Sequence, residues 1–252
     1  MARSACILVT IPISHYCEKA RWALDRAGIA FEERAHLQVL HLVAVRRAGG
    51  TGTVPVLVCG DVVLADSSDI LAYADSHAPP GGRLYPDDTG LMGELRALER
   101  DFDERLGPHT RRWFYEQMRG QRKLVKEYAP TGVPAWQRLL LPIAYAPVTK
   151  IIDSRLGVNA ENAAASIVEV RDTFDAVAQR LAGGRRYLVG DRFTAADLTF
   201  ASLAAPVLSP PGYGVPLPHP DELPAAMATV VREMRDHPAG RYALRMYREE
   251  RR

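Results

Sequence analysis

A short unbroken apolar run, Cys6-Ile7-Leu8-Val9-Thr10, is the first regular pattern in the chain, and its length and β-branched content predict a strand buried on both faces. After Ile11-Pro12-Ile13-Ser14 the spacing changes. Ala20, Ala23, Leu24 and Ala27 recur at helical intervals, and Gly28 follows as a C-terminal stop. The unit is strand, turn, helix, with Ser14 at or beside the helix N-cap. Residues 54–58 and 62–64 flank Gly60-Asp61 and predict a hairpin. Asp66-Ser67-Ser68-Asp69 then opens a helix with Ile70, Tyr73, Ala74 and His77 on one side. A proline cannot donate to a sheet ladder, so Pro55 belongs at the start of its strand, where a cis bond would turn the Val54 backbone outward.

From Leu91 onward the patterns are almost wholly helical. Leu91, Leu95, Leu98, Phe102 and Leu106 form one apolar stripe, opposed by Glu94, Arg96, Arg100, Asp103 and Glu104, until Gly107-Pro108 breaks or kinks the helix. Further helices are predicted over residues 136–156, 161–181, 194–208 and 221–247, with a Pro/Gly-rich loop at 209–216. Ala78-Pro79-Pro80-Gly81-Gly82 reads as a linker. A mixed strand and helix domain over residues 1–80 and an all-helical domain over 88–252 follow from these patterns, with no internal repeat.

Composition narrows the functional classes. A 47% hydrophobic content over 252 residues supports a real core, and a net charge of +2 supplies no field for nucleic acid. No apolar run reaches membrane-spanning length without charges, so no membrane partner is expected. The apolar N-terminal run ends at Pro12 with no small-residue cleavage site after it, unlike a signal peptide. The cysteines, Cys6, Cys17 and Cys59, give a reduced, cytoplasmic profile rather than a disulfide framework. No metal-ligand spacing and no nucleotide-binding motif occurs, and neither a metal nor a nucleotide is expected.

Two helix N-termini carry the candidate chemistry. Each exposes unpaired N–H groups and the positive end of a helix dipole, which favour an anion. Ser14 reads either as an ordinary N-cap or as a hydroxyl donor to a bound thiolate. Asp66 and Ser67 mark the second terminus. Cys17 lies where the second cysteine of a redox pair would lie, but Ser14 opposite it disfavours dithiol chemistry.

Ser14 in an S-x-x-x-x-K pattern ending at Lys19, Val54-Pro55, Asp66-Ser67 and the run 190–198 appear in this order over nearly the whole chain, which resembles the glutathione S-transferase family. In the last run, Thr194 and Asp197 have capping-box spacing, with Phe193 and Leu198 at the staple positions. The resemblance implies an α/β thioredoxin-like N-terminal domain plus an all-α helical C-terminal domain. It implies a cytoplasmic, homodimeric transferase that binds glutathione as co-substrate for attack on a small hydrophobic electrophile in detoxification. Ser14 would then stabilise the thiolate. Val54 would pair with the cysteinyl backbone, Pro55 would set its geometry, and Asp66 and Ser67 would hold the γ-glutamyl end. His41, with Arg46 and Arg47, is offered for the glycyl carboxylate, although Gly49-Gly50-Thr51-Gly52-Thr53 departs from the family pattern. An apolar electrophile pocket between the domains would take Ile13, Trp113 and Tyr115, with Tyr213 a further candidate; the cluster holding Trp113 and Tyr115 reads first as core packing. Within the same resemblance stand a non-catalytic thiol-binding or protein-interaction role and a glutathione-dependent isomerase, dehalogenase or peroxidase.

Overall fold

A computed structural model describes residues 6–251. Strand β1 (Cys6–Thr10) leads through the Pro12–Ser14 turn into α1 (His15–Arg26). Strand β2 (Phe31–Ala35) pairs parallel with β1, followed by the short helix α2 (His41–Arg47). Strands β3 (Val56–Cys59) and β4 (Val62–Leu64) form the expected hairpin, and α3 (Ser67–His77) follows it. The sheet order is β2-β1-β3-β4, with β3 antiparallel to β1. This is the thioredoxin-like arrangement.

Strand alternation explains its two-sided core. Val9 and Val56 pack with Val45 of α2 on one face, and the pleat turns Leu8 and Leu57 to the other, where both are fully buried. Helices α1 and α3 pack on each other, and Ala20 and Leu24 of the first and Ile70 and Leu71 of the second are fully buried.

The rest is helical: α4 (Thr89–Asp101), α5 (Gly107–Gln117), α6 (Arg122–Tyr128), α7 (Ala135–Leu156), α8 (Ala160–Leu181), α9 (Ala195–Leu208), α10 (Ala225–Asp236) and α11 (Pro238–Glu249). Helix α9 is buried along almost its whole length. Its N-terminus carries the capping box: the Asp197 carboxylate accepts from the Thr194 backbone N–H at 2.7 Å and from the Thr194 hydroxyl at 2.8 Å. Asp197 also accepts from the Leu188 N–H and the Tyr242 hydroxyl, so one buried carboxylate ties three segments together.

Two expectations are corrected and a third, a break or a kink at Gly107-Pro108, is narrowed. The helix is not broken there; a π-helical turn, Phe102–Leu106, joins α4 to α5, and the Gly107 N–H bonds back to the Phe102 carbonyl. A widened turn accommodates a proline ring that would otherwise clash with the carbonyl four residues earlier. The single helix expected over 221–247 is two, because Pro238 starts α11 where His237 serves as its N-cap. Cys6 and Cys59 are joined in a disulfide rather than reduced. The β1–β3 register places Ile7 opposite Val58, and one step further out it brings the two cysteines together at a Cα separation of 4.4 Å.

The chain forms two compact units. The first holds the described residues up to Arg83 together with Arg122–Lys150 and Gly214–Pro216. The second holds Leu84–Gln121, Ile151–Tyr213 and the residues from Leu217 onward. Residues 122–150 join the first unit through Val133 and Leu141, which pack on Ala35 and Leu37. Among the described residues, no helix is long and apolar enough to cross a membrane.

Candidate active site

Ser14 is the N-cap of α1, in extended backbone conformation, with its Oγ accepting from the Cys17 N–H at a long 3.5 Å. The turn is closed by the Ser14 N–H on the Ile11 carbonyl at 3.0 Å. Ser14 is half-buried, whereas Cys17 is fully enclosed. Burial pushes the Cys17 thiol up, against the pull of the Arg21 charge and the Ser14 hydrogen bond. Cys17 therefore stays a neutral core thiol near neutral pH, and the turn presents a hydroxyl.

Beneath the turn lies a charged network that sequence patterning missed. Arg21, almost fully buried, grips Glu33 of β2 through Nε at 2.9 Å and Nη2 at 2.7 Å, and Nη2 also donates to the Pro12 carbonyl at 3.0 Å. Glu18, fully buried, faces Arg21 at 3.5 Å and accepts from the Gly214 N–H at 3.0 Å. Thr10 donates to Glu33 as well. An arginine fork held by carboxylates thus fixes the carbonyl two residues before Ser14. The available signal was the lack of a polar face on α1: charged Glu18, Lys19 and Arg21 are interleaved with Ala20, Trp22, Ala23 and Leu24, so some charge had to be buried.

The second helix terminus is tied to the first. Asp66 caps α3 by accepting from the Ser68 N–H at 2.7 Å, and the buried Lys19 ammonium donates to the Ser68 hydroxyl at 2.7 Å. Lys19 entered the sequence reading only as the end of a pattern; here it links α1 to the start of α3. Asp66 is exposed and Ser67 buried, and the Val54–Pro55 peptide is cis. His41 is the first residue of α2 and is half-buried, with Arg46 and Arg47 exposed in its last turn. All of these belong to the first unit, as does the half-buried Ile13. Trp113 and Tyr115 lie on α5 in the second unit, where Trp113 is a core side chain and Tyr115 is half-buried. Tyr213 is buried there, stacked on Tyr247. Among the described residues, no group of three or more histidine, cysteine or acidic side chains is placed to hold a metal.

Comparison with known proteins matches the glutathione S-transferase N-terminal domain over residues 8–82 and the glutathione S-transferase C-terminal domain over residues 160–242. Together these span more than half of the chain, and the protein belongs to the glutathione S-transferase family. Among solved structures it is similar to a glutathione S-transferase from Xanthobacter autotrophicus, with a TM-score of 0.60 at 17% identity over 97% of this chain and 93% of that one. It is also similar to a theta class enzyme from Xanthomonas axonopodis pv. citri solved with glutathione bound, with a TM-score of 0.59 at 18% identity over 95% and 97% of the chains. A third, from Methylobacterium radiotolerans in complex with glutathione sulfonate, gives 0.58 at 20% over 96% and 95%. No curated protein matches the sequence.

Proposed function

We propose that the chain is a glutathione transferase in which the Ser14 hydroxyl stabilises the thiolate of bound glutathione for attack on a small hydrophobic electrophile. The observation that carries this reading is Ser14 at the α1 N-cap: its oxygen accepts from the Cys17 N–H and leaves its own proton to donate outward. A cysteinyl thiol with an unperturbed pKa of about 8.5 is mostly protonated at neutral pH. A hydroxyl donor backed by a helix N-terminus favours the ionised form.

The remaining roles are carried over from the family resemblance. The Val54 backbone, beside its cis proline, pairs with the cysteinyl part of the tripeptide, Asp66 and Ser67 hold its γ-glutamyl end, and His41 at the start of α2 meets the glycyl carboxylate. Ile13, in the first unit, contacts the electrophile, whereas the Trp113 side chain belongs to the core of the second. The protein works in the cytoplasm as a homodimer, in detoxification, with residues 1–80 as the glutathione domain and 88–252 as the helical domain.

Calorimetric titration of glutathione into the wild type and Ser14→Ala, with ultraviolet absorbance of the thiolate followed across pH, tests it. The expected outcome is binding by both proteins, a lowered thiol pKa in the wild type alone, and a conjugation rate reduced roughly 10²- to 10³-fold in the variant. If neither protein binds glutathione, the reading is wrong.

A further inference from the structure

Residues 122–150 lie outside both family-matched regions, and α7 inverts the usual rule of burial. The one residue of α7 that is fully buried is Gln137. Trp136, Leu139, Leu140 and Ile143, at i, i+3, i+4 and i+7, share a single face, and that face is turned to solvent: Trp136 is 57% exposed, Leu139 79% and Ile143 80%. Soluble helices put such a stripe against a core, and a contiguous exposed one marks a binding surface.

The charge of the stretch that carries this stripe identifies what it meets. Arg122, Lys123, Lys126, Arg138 and Lys150 are all exposed, against the single carboxylate Glu127 in the same stretch. Arg122 stacks over the Tyr145 ring at 5.2 Å and so ties α6 to the side of α7 opposite the stripe. The stretch is therefore locally basic in a chain whose overall charge is only +2. We infer that residues 122–150 form a docking surface for an anionic lipid bilayer, lying in the headgroup region with the Trp136–Ile143 stripe toward the acyl chains and the basic residues among the phosphates.

At a bilayer interface tryptophan and aliphatic side chains turn to the acyl chains while lysine and arginine pair with phosphates. Long basic side chains reach lipid phosphates from the flanks. A second copy of the chain fits less well. A two-fold contact would set the same positive charges against each other, and four side chains fall short of the about 800 Å² per partner that a stable pair buries. The sequence expectation of no membrane partner rested on the lack of a spanning segment, which does not bear on interfacial binding.

Vesicle flotation with phosphatidylcholine alone and with added phosphatidylglycerol tests the inference. The full chain is expected to float with the anionic vesicles, to be released by salt, and to remain behind with the neutral ones. Trp22 and Trp113 are buried, so quenching by brominated lipid should report Trp136. Leu139→Glu with Ile143→Glu is expected to lower the partition at least about tenfold, and Lys123→Glu with Lys126→Glu to remove its dependence on anionic lipid, both with unchanged glutathione binding. Absence of flotation at low salt overturns the inference. So does a concentration-dependent dimer, measured by sedimentation equilibrium, that dissociates in the Leu139→Glu, Ile143→Glu variant.

Discussion

Helices α1 and α7 treat burial in opposite ways. Helix α1 hides Glu18, Lys19 and Arg21 in the protein interior, whereas α7 hides Gln137 and leaves Leu139 and Ile143 in water. Buried charges are tolerable in α1 because each has partners: Glu33, the Pro12 carbonyl, the Gly214 N–H and the Ser68 hydroxyl. What the network gains is position, since its bonds end on the turn carrying Ser14 and on the start of α3. The α7 stripe gains nothing of that kind within the chain. Polarity out of place thus marks two kinds of function, one directed inward to a site and one outward to a surface.

The largest test of this contrast is Arg21→Ala. It removes the cation that faces both Glu18 and Glu33, and breaking a buried pair in this way costs about 3–5 kcal/mol. Denaturant unfolding should record that loss. Arg21→Met combined with Glu33→Gln and Glu18→Gln should recover much of the stability while the thiol pKa of bound glutathione stays perturbed toward its free value. Recovery of both stability and thiol ionisation would make the network a packing element with no influence on the turn.

A smaller loss is expected for Ser68→Ala, which deprives the Lys19 ammonium of an acceptor. Hydrogen bonds to charged groups contribute about 1.5–3 kcal/mol, and weaker glutathione binding should accompany the lower unfolding midpoint. A variant that loses stability while binding normally would separate the α1–α3 tie from the ligand site.

Much of the fold was legible because its signals are local. The strand before Ser14, the hairpin around Gly60-Asp61, the cap at Asp66 and the box at Thr194 and Asp197 each depend on residues a few positions apart. Strand β2 was not legible, because Glu32, Glu33 and Arg34 interrupt any apolar rhythm; it is an edge strand, and one of those charges turns inward to Arg21. Nothing local predicts the Cys6–Cys59 disulfide, since it depends on β3 rather than β2 crossing back beside β1 on that side. The same holds for Gln137, whose partners lie 100 and 101 residues away.

Gln137 anchors the outward-facing helix, and its prediction depends on pH. Its Oε1 accepts from the Leu37 N–H at 2.9 Å, which fixes the amide so that Nε2 donates to His36 Nδ1 at 2.8 Å. His36 must then be neutral, and burial, followed by the Arg34 charge, holds it below the ordinary imidazole range. A depressed folded value means stability present above the unfolded pKa of about 6.5 and lost as pH falls through the lower folded value. Hydrogen-exchange protection at the Leu37 amide should therefore fall on acidification. Gln137→Leu should abolish that dependence and cost about 1–3 kcal/mol by orphaning the Leu37 N–H. Unchanged protection through the acidic range would remove His36 from the anchor.

The smallest expected effect sharpens the comparison most. Leu139→Gln with Ile143→Gln, in the absence of lipid, should change unfolding stability by no more than about 0.5 kcal/mol, as surface substitutions do. Leu24→Ala or Leu57→Ala, at fully buried positions of α1 and β3, should cost about 2–5 kcal/mol. A core-sized loss for the α7 pair would mean that the stripe is covered in the free protein, and α7 would then obey the same burial rule as any other helix. A negligible loss leaves an apolar face that folding does not require. Such a face raises the risk of aggregation wherever it is left bare, and a binding partner outside the chain supplies the reason to keep it.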